Sequence, residues 1–207
     1  MTVSFVDLAN EALDFLGASP IQSLSDASAE ARVTARALPR IFDRVLRSYP
    51  WNSAIMRLTL EALNETSSDA LAHTFALPDD VLRVLDVWPD EAAWRVETLL
   101  ADADAAASPA AHQWQRVIRA DVGGSIRVRV VRRPADPGSL DPLLSGLISA
   151  ELAVALAAKL TENTSRMATL MDFAARLRRE AIAADALESG GEEIVVAGLA
   201  GGLGGRV

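Results

Sequence analysis

Two histidines, His73 and His112, are the only imidazoles in the chain, and there is no cysteine. A zinc site would have to combine both with carboxylates. Disulfide and thiolate chemistry has no residue to act through. Asp79-Asp80 and Glu192-Glu193 are adjacent acids, but neighbours on a strand or loop point apart, so they read as solvated charge. No Gly-x-Ser-x-Gly elbow occurs, and no nucleophile stands beside a base in a local motif. The glycines of "GLAGGLGG" suggest a phosphate loop. Such a loop needs a following helix to present its N–H groups, and only Arg206 and Val207 come after it. A flexible arm is the expectation there. The residue types thus point to no catalytic group, no metal and no cofactor.

Four arginines, Arg32, Arg36, Arg40 and Arg44, recur every four residues, with Arg47 close behind. That spacing places them along one side of a helix. The row could be a solvated face paired with acids such as Glu30 and Asp43. It could instead be an interface for the acidic part of another copy, or a contact for nucleic acid. Trp51, Trp88, Trp94 and Trp114 read first as core anchors whose indole N–H finds a carbonyl, rather than as ligand platforms.

The 207 residues are 50% hydrophobic and 23% charged, with a net charge of -8. That composition folds rather than staying disordered, and the length suffices for one core with an inserted subdomain. The acidic balance argues against sequence-independent duplex binding, which needs basic residues to neutralise phosphate. One of the twenty basic residues is lysine. GC-rich coding, which also fits the many alanines, is the favoured cause of that bias over functional selection for arginine. No apolar run reaches the roughly eighteen residues that span a bilayer. The opening "MTVSFVDLANEALDF" is acidic rather than basic, unlike a signal peptide, so synthesis in the cytoplasm and no membrane partner are expected.

The elements that must carry these residues begin with a helix over about 3–16. Ser4 and Asp7 form a capping box, and Gly17 sits at a left-handed C-cap. A second helix covers about 27–48, with Pro39 inside it expected to kink or split it. Extended signals cluster over about 70–133: "HTFALP", "VLRVLDVW", "WRVETLL", "WQRVIRA" and "SIRVRVVRR". The last alternates strictly after a Gly123-Gly124 turn. Charge divides along this stretch. Eleven acids face two arginines between Glu61 and Ala107, and six arginines face one acid between Trp114 and Arg133.

Helices of about 140–161 and 165–188 follow a proline-rich linker. Their buried faces are expected at Leu144, Leu147, Ile148, Leu152, Ala155 and Leu156, and at Met167, Leu170, Met171, Ala174, Leu177, Ala181 and Ala184. The expected fold is α+β, mainly α: a four-helix bundle with a small antiparallel β subdomain inserted between helices 2 and 3, and an extended C-terminal arm. The corresponding divisions are 1–60 with 139–188 for the bundle, 61–138 for the insert, and 189–207 for the arm, where seven of the last eighteen residues are glycine. Within that arm "EEIVVAGLAG" could add to another chain's sheet edge.

Four features stand in order: "LDFLGASPIQSLSD" after the first helix, "LRSYPWNSAIMRLTL" at the end of the second, "FALPDDVLRVLDVW", and a pair of alanine-rich helices with a glycine-rich tail. Over about residues 3–188 this order resembles the podoviral tail tubular protein A family of phage head-to-tail adaptors, also called gatekeeper or connector proteins. The motifs that carry the resemblance are Ile21-Gln22-Ser23-Leu24-Ser25-Asp26, Pro50-Trp51-Asn52, and Leu77-Pro78-Asp79-Asp80 with Leu82-Arg83-Val84. The spacer Leu63–His73 is polar, and the loop 101–112 departs from the pattern.

The resemblance implies a ring of roughly twelve copies closed by identical contacts. It implies a place at the virion neck of a phage, prophage or gene transfer agent, with the portal above, a downstream tail or stopper protein below, and DNA passing through without sequence-specific binding. The C-terminal arm, with Glu192, Glu193, Ile194, Val195 and Val196, would reach the portal. Arg32, Arg36, Arg40, Arg44, Arg127 and Arg129 would lie at subunit or tail contacts. Pro50, Trp51 and Asn52, with Pro78 and Asp80, would form a structural corner between helical body and β insert. Three other classes compete. A helical transcriptional regulator would want a basic helix-turn-helix near its start, whereas the first helix here is acidic. A small hydrolase would want a nucleophile beside a base. A helical ligand-binding or regulatory protein of the host or prophage needs neither.

Overall fold

The computed structural model describes residues 3–66, 70–101, 113–160 and 164–189. Helix α1 is Phe5–Leu16. Asp7 N–H donates to the Ser4 hydroxyl at 3.2 Å, and Ser4 N–H donates back to the Asp7 carboxylate at 2.8 Å. The Ser4 hydroxyl and then its N–H hold the Asp7 carboxyl below its usual value. Gly17 closes the helix at φ 64°, the left-handed region that glycine tolerates. In the next loop the Asn10 amide clamps both backbone groups of Ile21, at 2.8 and 3.0 Å. Asp26 accepts from the N–H groups of Gln22 and Ser23.

Helix α2 is Ala29–Ser48, capped by the Ser28 hydroxyl. It runs unbroken through Pro39, which is exposed. The carbonyl that Pro39 leaves unbonded therefore lies where water can serve it.

Helix α3 is Pro142–Leu160 and α4 is Thr164–Glu188. α3 packs against α1, α2 and α4, whereas α1 and α2 barely meet. Surrounded in this way, α3 is apolar on every side, as a central helix should be. It is long and apolar enough to cross a membrane, which the reading of apolar runs in the sequence did not anticipate. Leu144, Leu147, Ile148, Leu152 and Leu156 are nonetheless sealed in the bundle core. On α4 Leu170, Ala174 and Ala181 are buried, but Met171, expected on that face, is 53% exposed.

Among the described residues between α2 and α3 lie six strands: β1 Ile55–Thr66, β2 His73–Ala76, β3 Val81–Trp88, β4 Trp94–Ala101, β5 Gln113–Ala120 and β6 Ser125–Arg132. They form one antiparallel sheet in the order β3-β6-β1-β2-β5-β4. β1 joins its halves: residues 55–61 pair with β6, and its far end pairs with β2 after a register shift between Ala62 and Thr66. The shift lets the sheet curl. Its inner face then closes a separate core of Phe75, Leu77, Val81, Val87, Ile118, Ile126, Val128 and Val130. The curl also brings β5 toward β3, which are not neighbours: an Arg116 guanidinium N–H donates to the Val81 carbonyl.

This sheet overturns the expectation of a mainly α bundle with a small β subdomain. The five anticipated strands are present, but the sixth, β1, falls on "IMRLTLEALNET", whose spacing fits a helix as well as a strand and whose first half, up to residue 60, lies within the expected bundle. β1 is the longest strand and holds the sheet together, so the β region is a full second layer with its own core.

Gly123 and Gly124 turn β5 into β6, with Gly124 at φ 79°. A Cβ on Gly123 would lie 2.7 Å from the His73 ring. We expect Gly123→Ala to cost about 1–3 kcal/mol in urea unfolding. The cost should largely vanish in a His73→Ala background, because the clash is with that imidazole.

Candidate interaction surfaces

The passage from α2 to β1 is made at Tyr49-Pro50-Trp51-Asn52. Pro50 has no N–H to continue the helix, so α2 ends at Ser48 and the chain turns extended at Tyr49. Trp51 is 1% exposed, and its indole N–H donates to the Val45 carbonyl at 3.0 Å. The same carbonyl accepts the Ser48 hydroxyl at 2.7 Å. An orphan acceptor of the last helical turn is thereby satisfied from two sides. The Tyr49 and Trp51 rings pack at 4.8 Å.

Asn52 ties the corner to the end of α4. Its N–H donates to an Asp185 carboxylate oxygen at 2.9 Å, and its side-chain amide donates to the Asp185 carbonyl at 2.7 Å and the Ser189 hydroxyl at 3.0 Å. Pro78 and Asp80 serve a second turn. The Pro78 carbonyl accepts the Val81 N–H at 3.0 Å, while the Asp80 carboxylate takes Arg132 and its carbonyl takes the Arg133 N–H at 2.8 Å.

Asp185 is buried beside this corner, and its second oxygen and the buried Tyr49 hydroxyl have no hydrogen-bond partner among the described residues. Burial pushes the Asp185 carboxyl up. The Asn52 N–H opposes this, and the charges of Glu188 and Asp141 add to it. Burial and then the Asp185 charge push the Tyr49 phenol up.

The bundle meets the sheet on the outer face of β6 and β3. Ile126, Val128 and Val130 point inward, so Arg127, Arg129 and Val131 point outward. Val131 and Leu82 are buried in the bundle core. Arg133 grips Asp43 of α2 through two bonds of 2.6 and 2.5 Å. Arg47 of α2 donates to the Leu82 carbonyl.

Around this junction opens a cleft of about 550 Å³ lined by Arg40, Arg44, Arg47, Arg116 and Arg133, with Asp43 and Asp79. Arg44 also pairs with Glu151 of α3 at 2.8 Å. The Arg116 guanidinium is held below its ordinary value by burial and then by the charge of Arg47.

The arginine row is thus divided by its surroundings. Arg32 and Arg36 line an open groove beside the 24–28 loop, and Arg36 donates to the Arg32 carbonyl. Arg40 and Arg44 belong to the cleft. Among the described residues Glu30 has no ion pair with the row, and Asp43 takes Arg133 instead. On the outer sheet face Arg127 is exposed and lines a small notch with Arg57 and Trp88, whereas Arg129 pairs with Asp86 at 2.6 Å. Of the tryptophans, Trp51 is the core anchor expected, Trp88 and Trp94 are half-buried, and Trp114 is 69% exposed. His112 and the arm residues Glu192, Glu193, Ile194, Val195 and Val196 lie outside the described residues.

Arg47, Arg116, Arg133 and Asp185 carry much of this geometry. Arg47 is visible in the sequence only as a neighbour of the arginine row, three residues after Arg44, and the other three are not marked there, because they meet their partners only across the fold. Comparison with known proteins adds no identity: no family model matches the chain, and no curated protein matches it significantly.

Two outcomes follow. Trp51→Ala should cost about 3–5 kcal/mol in urea unfolding. Trp51→Phe should cost only about 1 kcal/mol, because Val45 keeps the Ser48 hydroxyl. For Asp185, a folded carboxyl pKa raised above the unfolded one means that its stabilising contribution is present below about 3.9 and is lost as pH rises through the folded value. Asp185→Asn removes that loss and keeps an oxygen to accept from Asn52. The stability of the variant relative to wild type should therefore increase from about pH 4 upward and then level off, as read by unfolding midpoints across that range.

Proposed function

We propose that the protein is a head-to-tail adaptor of a tailed phage or phage-like particle, forming a ring under the portal that joins it to the tail and leaves a channel for DNA. The motif order that resembles the tail tubular protein A adaptors motivates the reading. The observation that carries it is the corner: Trp51 is fixed to α2 through Val45 and Asn52 is fixed to α4 through Asp185, so helical layer and sheet hold one angle. A ring of identical head-to-tail contacts closes only if every copy repeats the same rotation.

Function on this reading is mechanical and electrostatic. A net charge of -8 suits a bore through which phosphate must slide rather than bind. Part of the acid surplus of 61–107 is spent inside the chain, since Asp80, Asp86 and Glu97 pair with Arg132, Arg129 and Arg95. The exposed acids Glu61, Asp79, Asp90 and Glu91 are what remains of it for a lumen or a neighbour among the described residues whose exposure is defined. The Gly-rich arm supplies the portal contact, and no catalytic group, metal or cofactor has a part.

The test is negative-stain imaging of the purified protein incubated with the portal protein of the same genome. Rings with a central bore docked on the portal are expected. Arg127 is exposed, so Arg127→Glu combined with Arg32→Glu should block assembly without shifting the melting temperature. Arg129 is left alone because Asp86 needs it. A compact twofold pair that ignores the portal would overturn the adaptor reading.

A further inference from the structure

The cleft at the bundle–sheet junction gathers five guanidinium groups against two carboxylates in a protein of net charge -8. Arg47 and Arg116 stand at consecutive carbonyls, those of Leu82 and Val81, and repel each other there. Arg40 is exposed on the rim and has no hydrogen bond or ion pair among the described residues. Like charges held together by backbone contacts are relieved by an anion from outside.

The opposite end of the sheet offers that anion. β3 starts in the cleft at Val81 and Leu82 and ends at Trp88, about 23 Å from Val81 at the rise of a strand. There the β3–β4 turn presents Asp90 and Glu91, and the β5–β6 turn presents Asp121; all three are exposed. Asp121 accepts the Ala93 N–H at 3.0 Å and returns its own N–H to the Ala93 carbonyl, which binds the two turns into one tip. Asp90 and Glu91 have no ion pair among the described residues, although Arg127 borders the same notch. A tip that far from its own cleft cannot fill it.

We infer that the acidic tip of one copy, Asp90 and Glu91 with Asp121, seats in the arginine cleft of the next. Complementary patches at opposite ends of one protomer make a heterologous contact, which propagates head to tail and closes into a ring or extends as a filament according to the rotation per copy. The contact itself stands on the charge distribution; only its closure into a ring rests on the adaptor reading. Duplex DNA is the less suitable occupant, because Asp43 and Asp79 line the cleft and the protein as a whole repels phosphate.

The absence of cysteine makes the test direct. Arg40→Cys and Glu91→Cys, prepared separately, are mixed at high protein concentration and oxidised. A disulfide-linked heterodimer of the two variants is expected, at the expense of either homodimer, and it should fade at high salt because the contact is ionic. A chain carrying both substitutions should give a ladder of multimers. Adding Asp90→Arg to the Glu91→Cys variant should lower the yield about tenfold by placing like charges together. No cross-link, or homodimers as abundant as the heterodimer, overturns the inference. So does a duplex-DNA gel shift that Arg40→Glu abolishes while no cross-link forms. Portal-docked rings that assemble normally with Asp90→Arg and Glu91→Arg would remove this contact and leave the adaptor reading standing. A cross-linked ladder with no portal-docked ring would do the reverse.

Discussion

A helix that must stop and hand its chain to a central strand leaves carbonyls without donors and a backbone free to swing. The indole N–H of Trp51 on the Val45 carbonyl answers both difficulties at once. It satisfies an acceptor of the last turn and fixes the residue from which β1 departs. Because the ring is sealed in the bundle core, moving the strand would require withdrawing a large apolar side chain into water. Pro50 contributes what it cannot do: without an N–H it removes the option of another helical turn. Asn52 then borrows both backbone and side-chain groups from the end of α4, so α4 braces the exit from α2.

From that fixed departure the layers are joined through β1 and the outer face of its neighbour β6. Strand alternation sends Val128 and Val130 into the sheet core and Val131 into the bundle core, so one strand serves two interiors. The Arg133–Asp43 pair and the Arg47 contact sit on the rim of this seam. Exposed ion pairs of this kind add little to stability, typically below about 1 kcal/mol. Their geometry still constrains, because a two-pronged guanidinium–carboxylate contact resists rotation of one layer over the other. Burial supplies the strength of the seam, and the arginines set its direction.

How much of this could be read from residues alone depended on whether the signal was local. The Ser4–Asp7 capping box, the Gly17 stop, the Gly124 turn and the alternation of "SIRVRVV" are each decided within a few residues, and each appears as expected. Trp51 as an anchor was legible for the same reason. β1 was not, because Leu58, Leu60 and Leu63 fit helix and strand spacing about equally, and long-range pairing with β6 and β2 decides between them. The arginine row showed its spacing but not its division, since spacing cannot reveal that Asp43 is claimed from 90 positions away by Arg133. Asp185 looked like any acid on a surface helix until the corner folded over it.

The charge pattern has the same logic. The strands that hold the acids and those that hold the arginines lie side by side: β3 against β6, and β4 against β5. Folding therefore cancels much of the segregation seen along the chain: Asp80 and Asp86 meet Arg132 and Arg129, and Glu97 of β4 lies 3.9 Å from Arg119 of β5. What survives cancellation sits where strands run out of partners. Acids stay uncovered at the turns beyond Trp88 and Ala120, and arginines crowd the end where sheet meets helices. An antiparallel sheet with opposite charges on adjacent strands neutralises its middle and polarises its ends. A polarised protomer with a rigid seam has a preferred way to meet its own copy, because two tips or two clefts brought together would repel.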